Sequence, residues 1–367
     1  DAVRLVGAKA AQYARLVSVL GAADTLGSRS FALTFQAFQR HCHDAVPNLE
    51  AVLAELDAQE LGTETMRKAL AGVREAVEKR PVHPSVVECV SDVLLALQDA
   101  GSPSTREFLF RSSTNCEDLP GFNGAGLYES HAVTVSFSRY FPKLASDSSS
   151  AIAVALARVW GSVFSYRAYA ERRHAGIASQ HVAMGVLIQP LLRGKYVLAN
   201  GVCLTAHPYA RQRTGVMVSA LPGGDEMVTA GRSVPETTFI NTARLKREQA
   251  ENFGSVKQTE FDVESLDLEL VTARPNQEGN SEVLSKEMLQ DLAYHAARLH
   301  QVILGNPVGM ATPSFSTDAD RNDPGRALDI EFMFTARNDK EKPFHLTILQ
   351  ARPFTIRSKF YSPATTT

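Results

Sequence analysis

The sequence lacks the features that identify several large classes of protein. No apolar run approaches the roughly 18 residues that a membrane-spanning helix needs, and no signal peptide is visible after Asp1. Charges nearly cancel to a formal net charge of −2, so neither nucleic acid nor a membrane is expected as a partner. The four cysteines show no CxxC spacing, which argues against a zinc site or a disulfide framework. We therefore expect a cytoplasmic protein with reduced thiols.

The sequence does contain enough apolar material for a large fold. Its 367 residues are 44% apolar, which allows two domains or one two-lobed unit. Helical periodicity covers residues 31–44, 61–79, 84–100, 150–176 and 285–303, and strand-length apolar runs cover 182–190, 196–205, 214–220, 327–335 and 344–350. Helices and strands without regular βαβ alternation predict an α+β fold.

Two strands near the end of the sequence carry polar residues at the strand period. Asp329 and Glu331 alternate with apolar residues and should share one face, where Mg²⁺ is a natural partner for two carboxylates. Gln350 and Arg352 share a face of the following strand, and the planar arginine fork suits a phosphate. The alternative is an ordinary solvated hairpin face without functional meaning.

A glycine-rich stretch at residues 111–130 follows a short apolar strand. It contains Arg111, several hydroxyl side chains, and Gly121, Gly124 and Gly126. Glycines allow backbone N–H groups to approach an anion closely, so this composition fits a nucleotide triphosphate. The stretch has neither the Gly-Lys-Ser/Thr ending of a Walker A loop nor a GxGxxG pattern. A plain surface loop is the alternative.

Two single residues are weaker candidates. Lys9 follows Gly7 at the start of a predicted helix, a position that a lysine tolerates better when an anion is bound. Gln189 precedes Pro190 at the end of an apolar strand, where freed backbone groups could face an adenine edge. The alternatives are a surface lysine and an ordinary strand end.

Taken together, these stretches resemble the N-terminal, PEP/pyruvate-binding domain of the pyruvate phosphate dikinase and phosphoenolpyruvate synthase family. The resemblance follows the family order along nearly the whole chain. It is carried by residues 7–10, 111–130, 159–162, 167–169, 186–190, 201–208, 329–331 and 349–353. It implies an ATP-grasp fold, in which two lobes close on ATP and Mg²⁺ with the nucleotide cleft between them. The N-terminal lobe would be residues 1–190, with a helical insertion at about 31–100, the C-terminal lobe 191–357, and a disordered tail 358–367.

The resemblance also assigns roles in the N-terminal lobe. Lys9 and Arg111 would contact phosphates, and Arg111 would stabilise charge on the transferred group. Gly126 and Ser130 would belong to the loop that covers the phosphates. Gln189 would lie at the adenine hinge.

In the C-terminal lobe, the resemblance implies that Glu331 binds the magnesium ion, with Asp329 as a second candidate ligand. Gln350 and Arg352 would complete the nucleotide site. One departure is Ala206-His207, which replaces a basic-polar pair of the family, so that one phosphate contact could be missing.

The implied activity is ATP-dependent phosphoryl transfer to an acceptor outside this sequence. The sequence contains no segment that resembles the swivelling phosphohistidine domain of the family. The acceptor could be such a domain elsewhere, a pyruvate-like molecule, a glucan or another small molecule. The alternative is a nucleotide-binding or regulatory module that no longer transfers phosphate.

The histidines outside these segments favour structural roles. His41 and His43 lie too close together on a predicted helix to face one metal ion, and His295 and His300 are five residues apart. We therefore expect no metal site at either pair.

Overall fold

A computed structural model describes most of the chain. The described residues are 2–97, 105–117, 119, 122, 124, 126–137, 144–194, 196–207, 215–224, 227–228, 231–241, 267–272, 282–304 and 326–355. The predicted tail at 358–367 and all but the last residue of a polar stretch at 306–326 lie outside them. The chain divides into two compact units: unit 1 contains Asp1–Arg15 and Leu26–Leu192, and unit 2 contains Leu16–Thr25 and Arg193–Thr367.

Unit 1 contains most of the helices. They are α1 (Val3–Val6), the first part of α2 (Ala8–Leu20), α3 (Phe35–Ala45), α4 (Leu49–Asp57), α5 (Glu64–Lys79), α6 (Pro84–Ala96), α7 (Ser146–Gly161) and α8 (Tyr166–His174). Its strands are β1 (Phe31–Leu33), β2 (Thr105–Thr114), β3 (Ser130–Ser136) and β4 (Met184–Pro190).

The strands of unit 1 form an antiparallel sheet in the order β1-β4-β2-β3. Phe108 and Phe110 in β2 and Ile188 in β4 are almost fully buried, and they belong to the same core as Trp160 of α7. Because side chains alternate along a strand, this packing leaves Arg111 on the opposite face of β2. The apolar face of the sheet therefore determines where the candidate arginine lies.

Helix boundaries in unit 1 follow capping residues that hydrophobic periodicity does not reveal. The helix predicted at 61–79 begins at Glu64, because the Thr63 hydroxyl accepts a hydrogen bond from the Met66 N–H. The single helix predicted at 150–176 is wrong: a 3₁₀ turn at Ser162–Phe164 ends α7, and Ser165 caps α8 by accepting from Ala168 N. A cap inside an amphipathic pattern thus divides one predicted helix into two.

Two further expectations for unit 1 need correction. The predicted helix at residues 31–44 is wrong at its start, because Phe31–Leu33 pairs antiparallel with β4 as strand β1 and α3 begins only at Phe35. The glycine-rich stretch predicted from residue 111 begins later, since residues 111–114 complete strand β2. Both errors concern residues whose strand partner is distant in sequence.

Unit 2 is built on a six-stranded antiparallel sheet in the order β10-β9-β5-β6-β7-β8. The elements are β5 (Val197–Leu204), β6 (Gly215–Pro222), β7 (Glu236–Asn241), β8 (Asp267–Thr272), helix α9 (Lys286–Leu304), β9 (Arg326–Ala336) and β10 (Phe344–Thr355). Antiparallel sheets combined with separate helices confirm the predicted α+β class. Among the described residues, no helix is long and apolar enough to cross a membrane.

Candidate functional site

Arg111 and Gln189 contact each other on one face of the unit 1 sheet. Arg111 pairs with Ser130 of β3 on one side and with Leu187 of β4 on the other. Gln189 is therefore its diagonal neighbour, and Arg111 Nη1 donates a hydrogen bond to Gln189 Oε1 at 3.1 Å. The Gln189 amide in turn donates to Ser30 Oγ at 3.4 Å. The structure thus brings together two residues that the sequence nominated 78 positions apart.

Lys9 lies in the first turn of α2, which packs closely against β2. Gly7 has a φ of +85°, and a Cβ atom there would lie only 2.1 Å from the carbonyl oxygen of Ser113. The Ser113 hydroxyl accepts a hydrogen bond from Ala10 N at 3.0 Å, so a side chain from β2 satisfies a free N–H of the helix terminus. Only glycine at position 7 allows this approach, which carries Lys9 to the end of β2.

The Lys9 ammonium is bound to three oxygen atoms of unit 1. It donates to the Ser112 carbonyl at 3.1 Å, to Ser112 Oγ at 3.2 Å and to Glu117 Oε1 at 2.8 Å. An ammonium group has three donors, and these contacts use all of them. Any contact between Lys9 and a phosphate would therefore replace at least one of these bonds.

Glu117 is a site residue that the sequence reasoning missed. Its side chain is only 3% exposed and forms the ion pair with Lys9. A buried carboxylate in a stretch expected to hold an anion is the signal that could have found it, because such a charge requires a cation nearby. Glu117 links the start of the glycine-rich stretch to Lys9, 108 residues earlier.

The glycine-rich stretch returns to the sheet next to Arg111. Gly124 and Gly126 have φ values of +67° and +70°, and a side chain at Gly126 would meet no described atom within 4 Å. Tyr128 is buried, whereas Ser130 begins β3 directly opposite Arg111. Residues 118, 120, 121, 123 and 125 lie outside the described part of the chain. Ser130 is thus beside Arg111, and Gly126 is in open space.

In unit 2, strands β9 and β10 bring the four nominated residues together. The two strands pair antiparallel, with Glu331 opposite Gln350 and Asp329 opposite Arg352. Asp329 and Glu331 are two residues apart on β9, as are Gln350 and Arg352 on β10. All four side chains therefore share one face, as predicted.

A β-bulge in β10 makes this arrangement possible. Ile348 pairs with Phe332, but Gln350 pairs with Glu331, so the register shifts by one residue between them. Ile348 and Phe332 are both fully buried on the apolar face. In a regular strand Gln350 would share that face with Ile348, and the extra residue instead turns it towards Glu331. The sequence reasoning assumed simple alternation and did not anticipate this irregularity.

Asp329 and Arg352 form an ion pair on the polar face. Arg352 Nε and Nη2 lie 3.0 and 2.7 Å from Asp329 Oδ2, and the two side chains are only 19% and 14% exposed. The second oxygen, Asp329 Oδ1, is buried and has no hydrogen-bond partner among the described residues. A buried carboxylate oxygen beside Glu331 fits the hard oxygen ligands that Mg²⁺ prefers.

Three of the histidines have structural contacts. His41 Nε2 lies 2.9 Å from the carbonyl oxygen of Val77, and burial lowers the pKa of His41. His300 Nδ1 lies 2.6 Å from the Thr205 hydroxyl, and burial lowers the pKa of His300 to about 4. His207 packs against the ring of Phe239. Within the described residues, no group of three His, Cys, Asp or Glu side chains could hold a metal ion.

Comparison with known proteins gives a match along the whole chain. The domain family described as "Pyruvate phosphate dikinase, AMP/ATP-binding domain" matches residues 3–366. Phosphoenolpyruvate synthase of Escherichia coli is 24% identical over 96% of this chain and 40% of its own length. Rifampicin phosphotransferase of Streptomyces sviceus is 28% identical over 64% of this chain and 24% of its own length. A probable phosphoenolpyruvate synthase of Archaeoglobus fulgidus is 25% identical over 71% of this chain and 32% of its own length. The chain thus spans two fifths or less of these relatives.

Proposed function

Because the chain belongs to the pyruvate phosphate dikinase AMP/ATP-binding domain family, we propose that it binds ATP with Mg²⁺ and transfers a phosphoryl group to an acceptor outside this sequence. The observation that carries the proposal is the arrangement in unit 1. Lys9 and Arg111 flank the end of β2, Gln189 is hydrogen-bonded to Arg111, and the glycine-rich stretch begins and ends beside them. Two cations at the base of such a stretch suit a polyphosphate.

Each unit 1 residue has a proposed part in this reaction. Arg111 stabilises charge on the transferred phosphoryl group, and Lys9 binds a phosphate after releasing one of its present partners. Gly126 and Ser130 belong to the segment that covers the phosphates, and Gln189 orients Arg111 and faces the adenine. Phosphoryl transfer needs mainly positioning and charge neutralisation, which these side chains supply.

The polar face of β9 and β10 is proposed to hold the metal ion. Glu331 and the Oδ1 atom of Asp329 are the candidate ligands, while Gln350 and Arg352 contact the nucleotide. Mg²⁺ would supply neutralisation of phosphate charge. Arg352 holds Asp329 in place through Oδ2, which leaves Oδ1 for a ligand role.

The acceptor is proposed to lie outside this sequence. The printed names of two relatives refer to phosphoenolpyruvate and to rifampicin, so acceptor chemistry differs among similar proteins. A phosphohistidine domain, a pyruvate-like molecule, a glucan or another small molecule remains a candidate for this chain.

One observation favours a second candidate function, a nucleotide-binding or regulatory module without transfer. All three donors of Lys9 are engaged by Ser112 and Glu117. If Lys9 kept these contacts while ATP was bound, Arg111 would be left without the help of Lys9 in neutralising the phosphates of ATP. Such a domain would bind ATP without turning it over.

The deciding experiment combines ATP binding with positional isotope exchange in β,γ-labelled ATP and with measurement of AMP release, each carried out with candidate acceptors present, because the acceptor is proposed to lie outside this sequence. A transferase should exchange the label or release AMP, and Arg111→Ala should lower the rate by about 10³-fold. The control is Arg158→Ala, which removes an exposed arginine of α7 and should leave the rate unchanged. Tight ATP binding without exchange or release would favour the regulatory module, and absence of ATP binding would rule out both functions.

A further inference from the structure

Unit 1 contains a cavity of about 370 Å³ that the proposed function does not use. It is open to solvent on one side and is lined by α3, α4, α8 and the segment that connects α7 to α8, together with residues just before β4. None of the nominated nucleotide-site residues lines it. Its apolar wall includes Phe38, Leu49, Leu53, Val163 and Phe164. The size is suitable for a small organic molecule.

The polar feature of this cavity is the guanidinium of Arg172. The residue is only 1% exposed, and it contributes to the cavity wall. Arg172 Nη2 donates to the carbonyl oxygen of Val163 at 2.8 Å, and Nη1 donates to Tyr128 Oη at 3.3 Å. Its Nε atom is buried and has no hydrogen-bond partner among the described residues. Both partners of this permanently charged side chain are therefore neutral groups.

A buried arginine normally pairs with a carboxylate, because a charge removed from water is costly without a counter-charge. Within the described part of the chain, Arg172 forms no ion pair with an Asp or Glu side chain. The other charged residues that line the cavity are Arg40 and Glu50, whose charges cancel, together with His43. The cavity therefore presents an uncompensated positive charge among apolar side chains.

We propose that this cavity binds a small amphipathic carboxylate. The carboxylate would lie against the guanidinium of Arg172 and supply the missing counter-charge. Its hydrocarbon part would pack against the edges of Phe38 and Phe164, whose rings are nearly parallel with centroids 6.4 Å apart. The apolar wall favours a monoanion with a hydrophobic body over inorganic phosphate or a nucleotide.

The test compares two probes of the same shape by isothermal titration calorimetry. 4-Phenylbutanoate carries the carboxylate, and 4-phenylbutanamide replaces it with a neutral amide. We expect the acid to bind about tenfold more tightly, because only the acid supplies a negative charge to Arg172. Saturating ATP and Mg²⁺ should not displace it. Equal affinities, absence of binding, or displacement by ATP would overturn the proposal.

Two glutamine variants show whether the acid binds in this cavity, even if an Arg172 variant does not fold. Glu50→Gln removes the exposed acid of the cavity rim and should tighten acid binding by about threefold, while amide binding stays constant. The matched control is Glu88→Gln on the exposed face of α6, which should change neither affinity. Arg172→Met, where it folds, should abolish the preference for the acid. A preference that survives Arg172→Met, or an equal response to the two glutamine variants, would contradict the assignment.

Discussion

In unit 1 a helix terminus holds the candidate cation Lys9 in place, whereas in unit 2 the pairing of two strands positions the candidate ligands. Lys9 reaches the end of β2 because Gly7 allows the backbone of α2 to approach Ser113. Asp329 and Arg352 face each other because a one-residue bulge sets their register. The first arrangement is therefore sensitive to side-chain volume at the contact, and the second to the register and charge of the strands.

The largest expected effect tests the close contact in unit 1. Gly7→Ala places a Cβ atom 2.1 Å from a backbone oxygen at a φ of +85°, and should lower the free energy of unfolding by about 4 kcal/mol. The matched control is Gly21→Ala, which has a φ of +86° but meets no described atom within 4 Å. It should cost only about 1 kcal/mol. Urea denaturation measures both, and equal losses would show that backbone strain alone matters at position 7.

The next prediction concerns the ion pair of unit 2. Arg352→Gln leaves the largely buried Asp329 carboxylate without its cation and should cost about 3 kcal/mol. A double-mutant cycle with Asp329→Asn should give a coupling energy of about 2 kcal/mol. The reference cycle uses the exposed pair Glu64–Lys68, where we expect about 0.3 kcal/mol. Similar coupling in the two cycles would mean that β-strand pairing, and not charge, holds this part of unit 2.

The stability of the protein should depend on pH through the buried histidine His300 of unit 2. Burial lowers the pKa of His300 to about 4 from its usual 6.5, so acidification protonates this histidine in the unfolded chain before the folded one. Its contribution to stability is complete above pH 6.5 and decreases towards pH 4. Between pH 7.5 and pH 4.5 the unaltered protein should lose about 2 kcal/mol more than His300→Gln. Burial also lowers the pKa of His41 in unit 1. Equal losses of stability in the unaltered protein and in His300→Gln would therefore mean that a group other than His300 causes the acid sensitivity.

The smallest expected effect separates stability from binding in unit 1. Glu117→Gln removes the counter-charge of Lys9, but the glutamine keeps an acceptor oxygen and Lys9 keeps its two bonds to Ser112, so the free energy of unfolding should fall by only about 1 kcal/mol. The same change frees Lys9 for a phosphate, so ATP should bind about tenfold more tightly by calorimetry. Glu88→Gln is the control for a lost surface charge. Unchanged or weaker ATP binding would indicate that Lys9 is structural.

The sequence was informative where a pattern is local. Alternation along β9 placed Asp329 and Glu331 on one face, and apolar spacing located helix α9. It was not informative where the decisive partner is distant, as for β1, whose pairing with β4 depends on residues more than 150 positions away. Glu117 was missed for the same reason, because its importance depends on burial beside Lys9. The bulge in β10 was invisible, since pairing register is a property of two strands and not of one.

The bulge in β10 has a consequence for judging proteins by their motifs. If Leu349 instead occupied a regular pairing position, the amide and guanidinium of β10 would point towards the aromatic side of the sheet. Every side chain nominated for nucleotide binding would still be present in such a regular strand, in the same order. The pairing register of this strand is therefore a more discriminating diagnostic of a competent family member than the identity of its polar residues.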